Sequence, residues 1–314
     1  MGQTISEKIL ARASGQETVK PGDIVTCQVD LAMVHDSSGP RTSGKKLDEL
    51  GVPVWDMSKL VVISDHYVNL DDAAAKNVQD ICDTWCETHK VQNFIRNQGI
   101  CHIVLPQEGH VKPGMFCVGA DSHSTTAGAF GAFMVGVGAT EITGVMATGE
   151  IWARVPENVR MEVTGNLKPG VAGKDVILKI CGDHGIMGFG YQVVEFCGEG
   201  VTNMSAQDRM TLTNMAAEIG AKTGIIAPDA KTVELLAAWG VTGIDPAEWQ
   251  SDADAVYAKH IKIDGDALAP QVAAPSSPEN ADDVGNYKNV KLNQAYLGAC
   301  TGAKLEDLRM AAQV

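Results

Sequence analysis

Short apolar runs alternate with longer stretches of helical periodicity along the chain. Runs of about four to eight apolar residues rich in β-branched side chains are typical of buried strands, whereas apolar positions spaced three and four apart indicate one face of a helix. These patterns predict strands at 59–64, 100–105, 115–119 and 160–164, and helices within 73–98, 140–153, 174–181 and 210–220. Strands that alternate with helices predict an α/β fold with largely parallel sheets.

The amino-terminal segment carries a helix-start signal. Thr4 is followed three positions later by Glu7, which is the spacing of a capping box in which each side chain bonds the other residue's backbone N–H. We therefore expect a helix that opens after Thr4 and runs through Ala13.

A segment rich in Pro, Ala, Ser and Asp divides the chain near its carboxyl end. It predicts a linker at 268–287, between an α/β region at 1–267 and a further unit at 288–314. That last unit contains a strand-like stretch at 289–296, a tight turn at 298–302 and a helix from Leu305. Because one strand and one helix cannot bury a core, we expect this unit to be incomplete.

Composition and charge narrow the classes of function. Of the 314 residues, 45% are hydrophobic and 20% are charged, which is an ordinary globular composition. The formal net charge of −14 argues against nucleic acid or an anionic membrane as the partner, and no apolar run reaches the length of a membrane span. The 8 cysteines are scattered, without a C-x-x-C pair or a secretion signal, and predict reduced thiols in the cytoplasm.

Two polar clusters directly follow predicted strands, where open α/β sheets bind ligands. The first is Ser64-Asp65-His66, in which a carboxylate beside an imidazole can fix its tautomer or raise its pKa; a plain surface turn is the alternative. The second is Asp121-Ser122-His123, followed by hydroxyl groups and by glycines that let backbone N–H groups approach a ligand. A capped turn with packing glycines is the alternative there.

Four further residues are candidates for chemistry. His102 lies inside an apolar predicted strand, where a histidine is usually a satisfied core residue. Asn214 and Glu218 are spaced i, i+4 on one helical face, and partial burial of Glu218 would suit proton transfer, although an exposed face is the alternative. Cys300 lies in a turn before a helix. It is a candidate metal ligand or nucleophile, and a small residue in a tight turn is the alternative.

Together these motifs resemble the large-subunit family of aconitase and 3-isopropylmalate dehydratase over essentially the whole chain. The glycine-rich segment and the Asn-Met-Ala-Ala-Glu segment are long and specific, and the matches occur in the family's order. The matching segments are 65–66, 121–124 with 128–141, 147–149, 214–221, and 298–301 continued by 306–309.

The resemblance implies a three-layer α/β/α iron–sulfur domain and a hydro-lyase of leucine biosynthesis. A [4Fe–4S] cluster held by three cysteines leaves one iron open as a Lewis acid; Cys300 is expected to be its first ligand, with the other two cysteines beyond residue 314. The expected substrate is 3-isopropylmalate or 2-isopropylmalate, with homoaconitase and 2,3-dimethylmalate dehydratase chemistry as alternatives. The expected partner is a separate small subunit that carries the swivelling domain.

The resemblance also implies roles for individual residues. Two Asp–His pairs would position and protonate the departing hydroxyl group, and the Asn–Glu pair would orient water and substrate. The expected catalytic residues are Asp65, His66, His102, Asp121, His123 and Glu218, and the expected substrate-binding residues are His35, Ser122, Asn214 and Lys304.

Two features depart from the family pattern. The family's other two cluster cysteines form a C-x-x-C pair, and this sequence contains no such pair. Cys300-Thr-Gly-Ala-Lys304 also replaces the usual Cys-Thr-Asn-Gly-Arg, and lysine lacks the bidentate fork of arginine. One competing hypothesis is therefore a cluster-less relative that binds or regulates, or a nonfunctional truncated relative. Another is a cluster-independent thiol or zinc enzyme that uses Cys300 or His102.

Overall fold

The amino-terminal helix begins at the predicted capping box. The computed structural model describes residues 2–313. Met1, which begins the predicted unit 1–267, and Val314, which ends the predicted unit 288–314, lie outside the described residues. The N–H of Thr4 donates to Glu7 at 2.7 Å, and the N–H of Glu7 donates to Thr4 at 3.3 Å. The α-helices are α1 Ile5–Ser14, α2 Lys45–Leu50, α3 Ala73–Thr88, α4 Cys101–Gln107, α5 Ala139–Thr148, α6 Gly173–His184, α7 Glu199–Asn203, α8 Ala206–Asn214, α9 Ala230–Ala238 and α10 Leu305–Ala311.

The strands form two parallel sheets and two short antiparallel pairs. The described strands are β1 Ile24–Gln28, β2 Leu31–His35, β3 Leu60–Ser64, β4 Asn93–Arg96, β5 Phe116–Gly119, β6 Phe133–Gly136, β7 Glu150–Arg154, β8 Asn158–Thr164, β9 Val193–Cys197, β10 Thr223–Ile225, β11 Lys259–Asp264, β12 Gln271–Ala273 and β13 Ala281–Asp283. The parallel sheets have the orders β4-β3-β2-β5-β6 and β10-β9-β8-β11. The antiparallel pairs are β1 with β7 and β12 with β13.

The three central strands of the five-stranded sheet, β3, β2 and β5, are buried on both faces. Ala32 and Val34 of β2 pack with apolar residues of α1, α3 and α5, whereas Leu31 and Met33 pack with residues of α4, α8 and α9. Fully buried strands between two helical layers are what a parallel sheet requires. The predicted α/β fold with largely parallel sheets is therefore confirmed.

The chain order of this sheet creates a switch point beside its central strand. From β2 the chain passes to β3 and β4 on one side, and later to β5 and β6 on the other. Ligands in open α/β sheets bind outside the carboxyl ends of strands where this direction changes. His35 ends β2, Ser64 ends β3 and Gly119 ends β5, so the loops that follow these strands meet at the switch point.

A 3₁₀ segment, Ser122–Phe130, joins the two parallel sheets. The Gly128 carbonyl accepts a hydrogen bond from the Ile226 N–H at 2.9 Å, and a Cβ at position 128 would stand 1.8 Å from the carbonyl oxygen of Gly224 in β10. Only glycine permits so close an approach of two backbones. The hydroxyl group of Thr213 in α8 donates a hydrogen bond to the carbonyl of Thr126 in this segment at 3.0 Å. This bond holds α8 against the loop that follows β5.

Residues 101–105 lie in α4, so the strand predicted at 100–105 is wrong. Ile100 is the extended residue before α4, and the N–H of Cys101 donates to Oδ2 of Asp65 at 2.6 Å. A short apolar run fits either a strand or a buried helical turn. Here a carboxylate at the start of the helix, which neutralises its free N–H groups, favours the helix.

The helices predicted within 73–98 and 140–153 are shorter in the structure than the predicted segments. The strand predicted at 289–296 is absent from the described residues. α3 ends at Thr88 and α5 ends at Thr148, and the chain then forms β4 and β7. The predicted strand at 289–296 is irregular. Its Leu292 and Tyr296 side chains are 76% and 86% exposed, and this stretch pairs with no strand in the described part of the chain, so nothing holds it extended.

The segment predicted as a linker contains secondary structure. The β12–β13 pair lies in it, and Ala273 and Ala281 pack against apolar residues of α6. The helix predicted from Leu305 is present as α10, while the boundaries at 1–267, 268–287 and 288–314 stay a prediction. No helix among residues 2–313 has the length and apolar character that crossing a membrane needs.

Candidate active site

The carboxylate of Asp121 lies among the imidazoles at the switch point. Its Oδ1 accepts hydrogen bonds from His102 Nε2 at 2.8 Å and from the backbone N–H of His123 at 2.8 Å. Its Oδ2 lies 3.7 Å from His35 Nε2 and 3.9 Å from His66 Nε2. The loops after β2, β3 and β5 and the start of α4 therefore converge on one carboxylate.

The imidazoles of His35 and His66 stack on each other. Their ring centroids are 3.9 Å apart and the ring planes differ by 11°. His35 Nε2 donates to the carbonyl of Ala120 at 3.2 Å, because a carbonyl oxygen can only accept. His66 Nδ1 donates to Oδ1 of Asp65 at 2.6 Å. The remaining nitrogen of His66, Nε2, faces Asp121.

Asp65 connects β3 to α4. One carboxylate oxygen holds His66, and the other caps the N–H of Cys101 at the start of α4. This cap places His102 beside Asp121. The predicted pairing of Asp65 with His66 is thus formed through the side chains. Asp121 instead accepts a hydrogen bond from the backbone N–H of His123 and one from the side chain of His102.

Asp36 is a site residue that the sequence analysis missed. It is fully buried behind the two stacked rings, and its carboxylate accepts hydrogen bonds from the N–H groups of His66 and Tyr67 at 3.2 and 2.9 Å and from Gln79 Nε2 at 3.3 Å. A signal was present, because the apolar run 31–34 is followed by His35 and Asp36, just as the run 60–63 is followed by Ser64 and Asp65. That run was not assigned to a strand.

His123 contacts both members of the predicted Asn–Glu pair. Its Nδ1 donates to the carbonyl of Asn214 at 3.2 Å, and its Nε2 lies 3.4 Å from Glu218 Oε1. Asn214 ends α8, and Glu218 lies in the 3₁₀ turn Met215–Ile219, so the predicted single helix changes type between them. Glu218 is 36% exposed at its side chain, which leaves room for a ligand beside it.

The buried side chain of Asn214 links the histidines to Cys300. Its amide donates to Thr126 at 2.8 Å, and its Oδ1 lies 3.7 Å from the Cys300 sulfur. Next to Cys300, the hydroxyl of Thr301 accepts a hydrogen bond from Lys174 Nζ at 3.0 Å. Nothing in the sequence around Lys174 indicates this contact, because it depends on how α6 packs against the late turn.

Three groups of the cluster have shifted pKa values. The hydrogen bond to Asp65 raises the pKa of His66 and outweighs the opposite effect of its burial. Burial alone would raise the pKa of Asp121, but the hydrogen bond and charge of His102 and the N–H of His123 lower it well below the ordinary range. Burial is likewise outweighed at Asp36, where the neighbouring imidazole and two backbone N–H groups lower the pKa. Ionised carboxylates therefore surround an imidazole that holds its proton more tightly than usual.

Two of the predicted substrate-binding residues lie at the margin of this cluster. Ser122 is exposed beside Asp121. Lys304 is buried, its Nζ donates to Thr211 Oγ1 at 2.8 Å, and it lies 3.2 Å from Asp307. The ammonium group thus has partners within the protein, and substrate contacts by Ser122 and Lys304 stay predictions.

Four ligand atoms of this cluster are spaced closely enough for a metal ion. One atom from each of His35, Asp36, Asp65 and His66 lies within 4.8 Å of the others. Imidazole lone pairs lie in the ring plane, however, and two parallel stacked rings cannot both direct them at one ion. Asp36 is also occupied by its hydrogen bonds to backbone and Gln79. The group is better suited to holding protons than to holding a metal.

Cys300 is suited to be one ligand of an iron–sulfur cluster, but the described chain does not complete the ligand set. Burial raises the pKa of the Cys300 thiol, which coordination to a cation would reverse. Among residues 2–313, no closely spaced group of possible metal ligands includes a cysteine. The other cysteines are buried, except for the half-buried Cys197.

Chemistry rather than cavity size identifies this site. A cavity of about 650 Å³ lies elsewhere, between the amino terminus and β8, where Glu7, Asn158 and Tyr257 are among its lining residues. It contains no histidine. The cluster around Asp121 instead combines paired imidazoles and carboxylates, shifted pKa values and a position at the switch point of a parallel sheet, which together make it the candidate active site.

Comparison with known proteins identifies a family. The sequence pattern of the "Aconitase family (aconitate hydratase)" matches residues 7–288. The 3-isopropylmalate dehydratase large subunit 1 of Methanopyrus kandleri is 46% identical over 316 residues, which cover 100% of this chain and 75% of the relative. The 3-isopropylmalate dehydratase large subunit of Moorella thermoacetica is 43% identical over 319 residues, with coverage of 100% and 75%.

A relative named as a homoaconitase has a sequence identity close to that of the dehydratases. The probable methanogen homoaconitase large subunit of Methanothermobacter thermautotrophicus is 42% identical over 315 residues, which cover 99% of this chain and 73% of the relative. Among solved structures, the holo-form of Thermococcus kodakaraensis aconitase X superposes with a TM-score of 0.45 and 12% identity, over 77% of this chain and 58% of that chain. The family assignment rests on the sequence matches alone.

Proposed function

Since the chain belongs to the aconitase family, we propose that it is the large subunit of a hydro-lyase that dehydrates and rehydrates a hydroxy dicarboxylate. We propose 3-isopropylmalate and 2-isopropylmalate as the substrates, because two relatives above 40% identity carry that activity in their names. Loss of water from either isomer gives the same unsaturated dicarboxylate, and readdition of water in the other orientation completes the isomerisation.

The observation that carries this proposal is the convergence of histidines and carboxylates on Asp121. Dehydration requires a proton for the departing hydroxyl group and groups that hold the substrate while the C–O bond breaks. Hydrogen-bonded imidazoles with ionised carboxylate partners provide both functions. The chain brings them together from four separate segments at a ligand-binding edge.

We assign the proton for the departing hydroxyl group to His66. Its Nδ1 is held by Asp65, so the charged ring has its Nε2 proton available on the side of Asp121. The hydrogen bond to Asp65 raises the pKa of His66 and so favours the form of the ring that carries this proton. The proton passes from Nε2 to the hydroxyl oxygen as the C–O bond breaks, and water leaves with both electrons of that bond.

The other residues orient the reactants. Asp121 fixes the tautomer of His102 by accepting from its Nε2. His123, with Nδ1 held by the Asn214 carbonyl, places Nε2 next to Glu218. We propose that this second pair binds the water molecule or a substrate carboxylate, and that the base that removes the carbon-bound proton comes from another subunit.

We propose Cys300 as one ligand of a [4Fe–4S] cluster. Such a cluster, when bound, supplies Lewis-acid polarisation of the substrate's hydroxyl and carboxylate oxygens. The Cys300 sulfur is 3.7 Å from Oδ1 of Asn214, so a cluster there would adjoin the histidines. We propose that the other two ligands come from elsewhere, because among residues 2–313 no closely spaced group of possible metal ligands includes a cysteine.

We propose a separate small subunit as the partner, because the relatives are named as large subunits. We also propose the cytoplasm as the compartment. All 8 cysteines are free thiols, which is the state that a reducing compartment maintains.

The experiment is a turnover assay with the assembled protein. The chain is first assembled with its small subunit and with the polypeptide that supplies the other two cluster ligands. It is then loaded anaerobically with iron and sulfide and supplied with 3-isopropylmalate, and the absorbance of the conjugated C=C bond is followed. The full-length Methanopyrus kandleri relative with its own small subunit is the positive control. We expect the absorbance to rise to an equilibrium value that is the same from either isomer. No absorbance change in the assembled protein, with an active control, would reject the proposal.

Homoaconitase activity is the second candidate, since the Methanothermobacter relative with that name is 42% identical. The assay with a hydroxy tricarboxylate decides between the two. A kcat/KM for the tricarboxylate at least tenfold above that for 3-isopropylmalate would favour homoaconitase, whereas the opposite ratio favours the dehydratase.

A further inference from the structure

Asp36 is a buried charge at the centre of the histidine cluster. Its side chain is 0% exposed. Besides the backbone N–H groups of His66 and Tyr67, it accepts hydrogen bonds from the Ser37 N–H at 2.9 Å, the Ser64 hydroxyl at 3.4 Å and Gln79 Nε2 at 3.3 Å. A buried carboxylate with this many donors stays ionised.

The same oxygen of Asp36 faces both stacked rings. Its Oδ1 lies 3.8 Å from Nδ1 of His35 and 3.8 Å from Nδ1 of His66. Nδ1 of His35 is buried and has no hydrogen-bond partner among the described residues. Asp36 is therefore close enough to act on both rings through its charge, without a direct hydrogen bond to either nitrogen.

The charged groups around the stack are few. His66 faces Asp65 on its own turn, Asp36 at the end of β2, Asp121 after β5 and the ring of His35. His35 faces Asp36 and Asp121 as well as His66. Two positive charges on rings 3.9 Å apart would repel each other, so the stack is suited to carry a single extra proton.

We propose that Asp36 is a positioning residue that holds the His35–His66 stack together and keeps its extra proton on His66. Asp36 anchors the turn 64–67 through the backbone of His66 and Tyr67, and it supplies the fixed negative charge behind both rings. This inference rests on the proposed function for the meaning of that proton, but the position and charge of Asp36 can be tested without turnover.

Substitution of Gln79 distinguishes the two effects proposed for Asp36, which are anchoring of the turn 64–67 and the negative charge behind the rings. Its Nε2 donates to Asp36, to Ser64 and to the carbonyl of Tyr67 at 2.8 Å, and it is itself fully buried. A merely structural role for Asp36 predicts that loss of either side chain has similar effects. A charge role predicts that only changes at Asp36 alter the titration of His66.

The test is NMR titration of the histidine ring signals in the chain alone, for the unmodified protein, Asp36→Asn, Gln79→Met and Asp30→Asn. Asp30 is the matched control, because it precedes the same strand at its opposite end and also accepts from a backbone N–H, that of Phe116. We expect Asp36→Asn to lower the pKa of His66 by about one unit. Gln79→Met and Asp30→Asn should each change it by less than about 0.3 units.

A double variant that moves the charge controls for the possibility that Asp36→Asn alone fails to fold. Asp36→Asn combined with Gln79→Glu keeps a buried carboxylate–amide pair and the net charge, but moves the charge away from the two Nδ1 atoms. We expect the same downward shift at His66. An unchanged His66 titration in any folded variant that lacks the Asp36 carboxylate would overturn the proposal, as would a His66 in the unmodified chain that titrates at or below the ordinary value.

Turnover in the assembled protein separates this inference from the proposed function. We expect Asp36→Asn to lower kcat at least tenfold with KM changed less than about threefold, and to move the alkaline limb of the pH profile down by about one unit. An NMR shift with no turnover even in the unmodified protein would leave the role of Asp36 intact and reject the hydro-lyase. Normal turnover of the unmodified protein, together with no change of the His66 titration in Asp36→Asn, would support the hydro-lyase and reject the role of Asp36.

Discussion

Nε2 of His102 lies 2.8 Å from Oδ1 of Asp121, so a residue at the start of α4 is oriented by the carboxylate that follows β5. The same oxygen holds the backbone of His123. One carboxylate thus positions two imidazoles that are 21 residues apart in the chain, and this relationship leads to the first prediction.

Asp121→Asn is expected to reduce kcat of the assembled protein about 10²- to 10⁴-fold, the range typical of lost acid–base function. The amide is nearly the same size as the carboxylate, but it lacks the charge that fixes His102 and balances the nearby rings. The measurement is initial-rate kinetics, with circular dichroism to verify folding. Asp30→Asn, at the other end of β2, is the control and should stay within about twofold of the unmodified rate. More than a tenth of the activity in Asp121→Asn would contradict the assignment.

Acidification is expected to destabilise the protein through Asp36 and Asp121. Both have a pKa below the ordinary value of about 3.9, so on acidification the unfolded chain takes up protons before the folded chain does. Their contribution is complete above that value and is lost as the pH falls through the folded pKa. His66 acts in the opposite sense, since its stabilisation is complete below about pH 6.5 and is lost as the pH rises through its raised pKa.

Urea unfolding between pH 7 and pH 3 measures this effect. We expect the free energy of unfolding to fall from about pH 5 downward, and the slope to be shallower in Asp36→Asn because one of the shifted groups is gone. An equally steep slope in the variant would show that the buried Asp36 carboxylate does not contribute to the acid sensitivity.

Two glycines give a matched test of the packing between the sheets. Gly128→Ala is expected to cost about 1–3 kcal/mol or more, because the new Cβ would stand 1.8 Å from the carbonyl oxygen of Gly224. Gly144→Ala, inside α5 with nothing within 4 Å, is expected to stabilise by about 0.5–1 kcal/mol. Urea unfolding of both variants measures the difference. Equal effects at the two positions would contradict the close contact between Gly128 and β10.

Iron binding is expected to depend on Cys300. After anaerobic incubation with iron and sulfide, the 314-residue chain by itself is expected to hold less than one [4Fe–4S] cluster per chain. The reason is that no closely spaced group of possible ligands among its described residues includes a cysteine. Iron and acid-labile sulfide analysis measures this, with Cys300→Ser as the comparison. A full cluster that persists in Cys300→Ser would show that other cysteines hold the iron.

Sequence patterns predicted the positions of two polar motifs better than they predicted the local structure around them. The Asp65-His66 and Asp121-Ser122-His123 motifs follow strands as expected, because short buried strands that end in polar residues leave a clear pattern. His102 was assigned to the wrong element type. Its apolar neighbours fit either a strand or a helical turn, and the deciding group is the Asp65 carboxylate, 37 positions before it.

Other features depend on contacts that a single sequence does not reveal. The stack of His35 on His66 requires β2 and β3 to be neighbours in parallel register, in which His35 pairs with Ile63. The change from α8 to a 3₁₀ turn, which brings Asn214 and Glu218 to His123, depends on packing against the segment Ser122–Phe130. Tertiary packing overrides local helix preference at such places.

The most direct test of the central claim is addition of solvent water to the unsaturated dicarboxylate in H₂¹⁸O. The chain is assembled with its small subunit and with the polypeptide that supplies the other two cluster ligands, and is loaded anaerobically with iron and sulfide. It is then incubated with the alkene formed by dehydration of 3-isopropylmalate, and the product is analysed by mass spectrometry. We predict one new hydroxyl group that carries ¹⁸O in each product molecule, and about 10²-fold or slower formation by Asp121→Asn. An alkene that stays unhydrated with the unmodified protein, while the Methanopyrus kandleri relative hydrates it, would contradict the assignment of this chain as a hydro-lyase subunit.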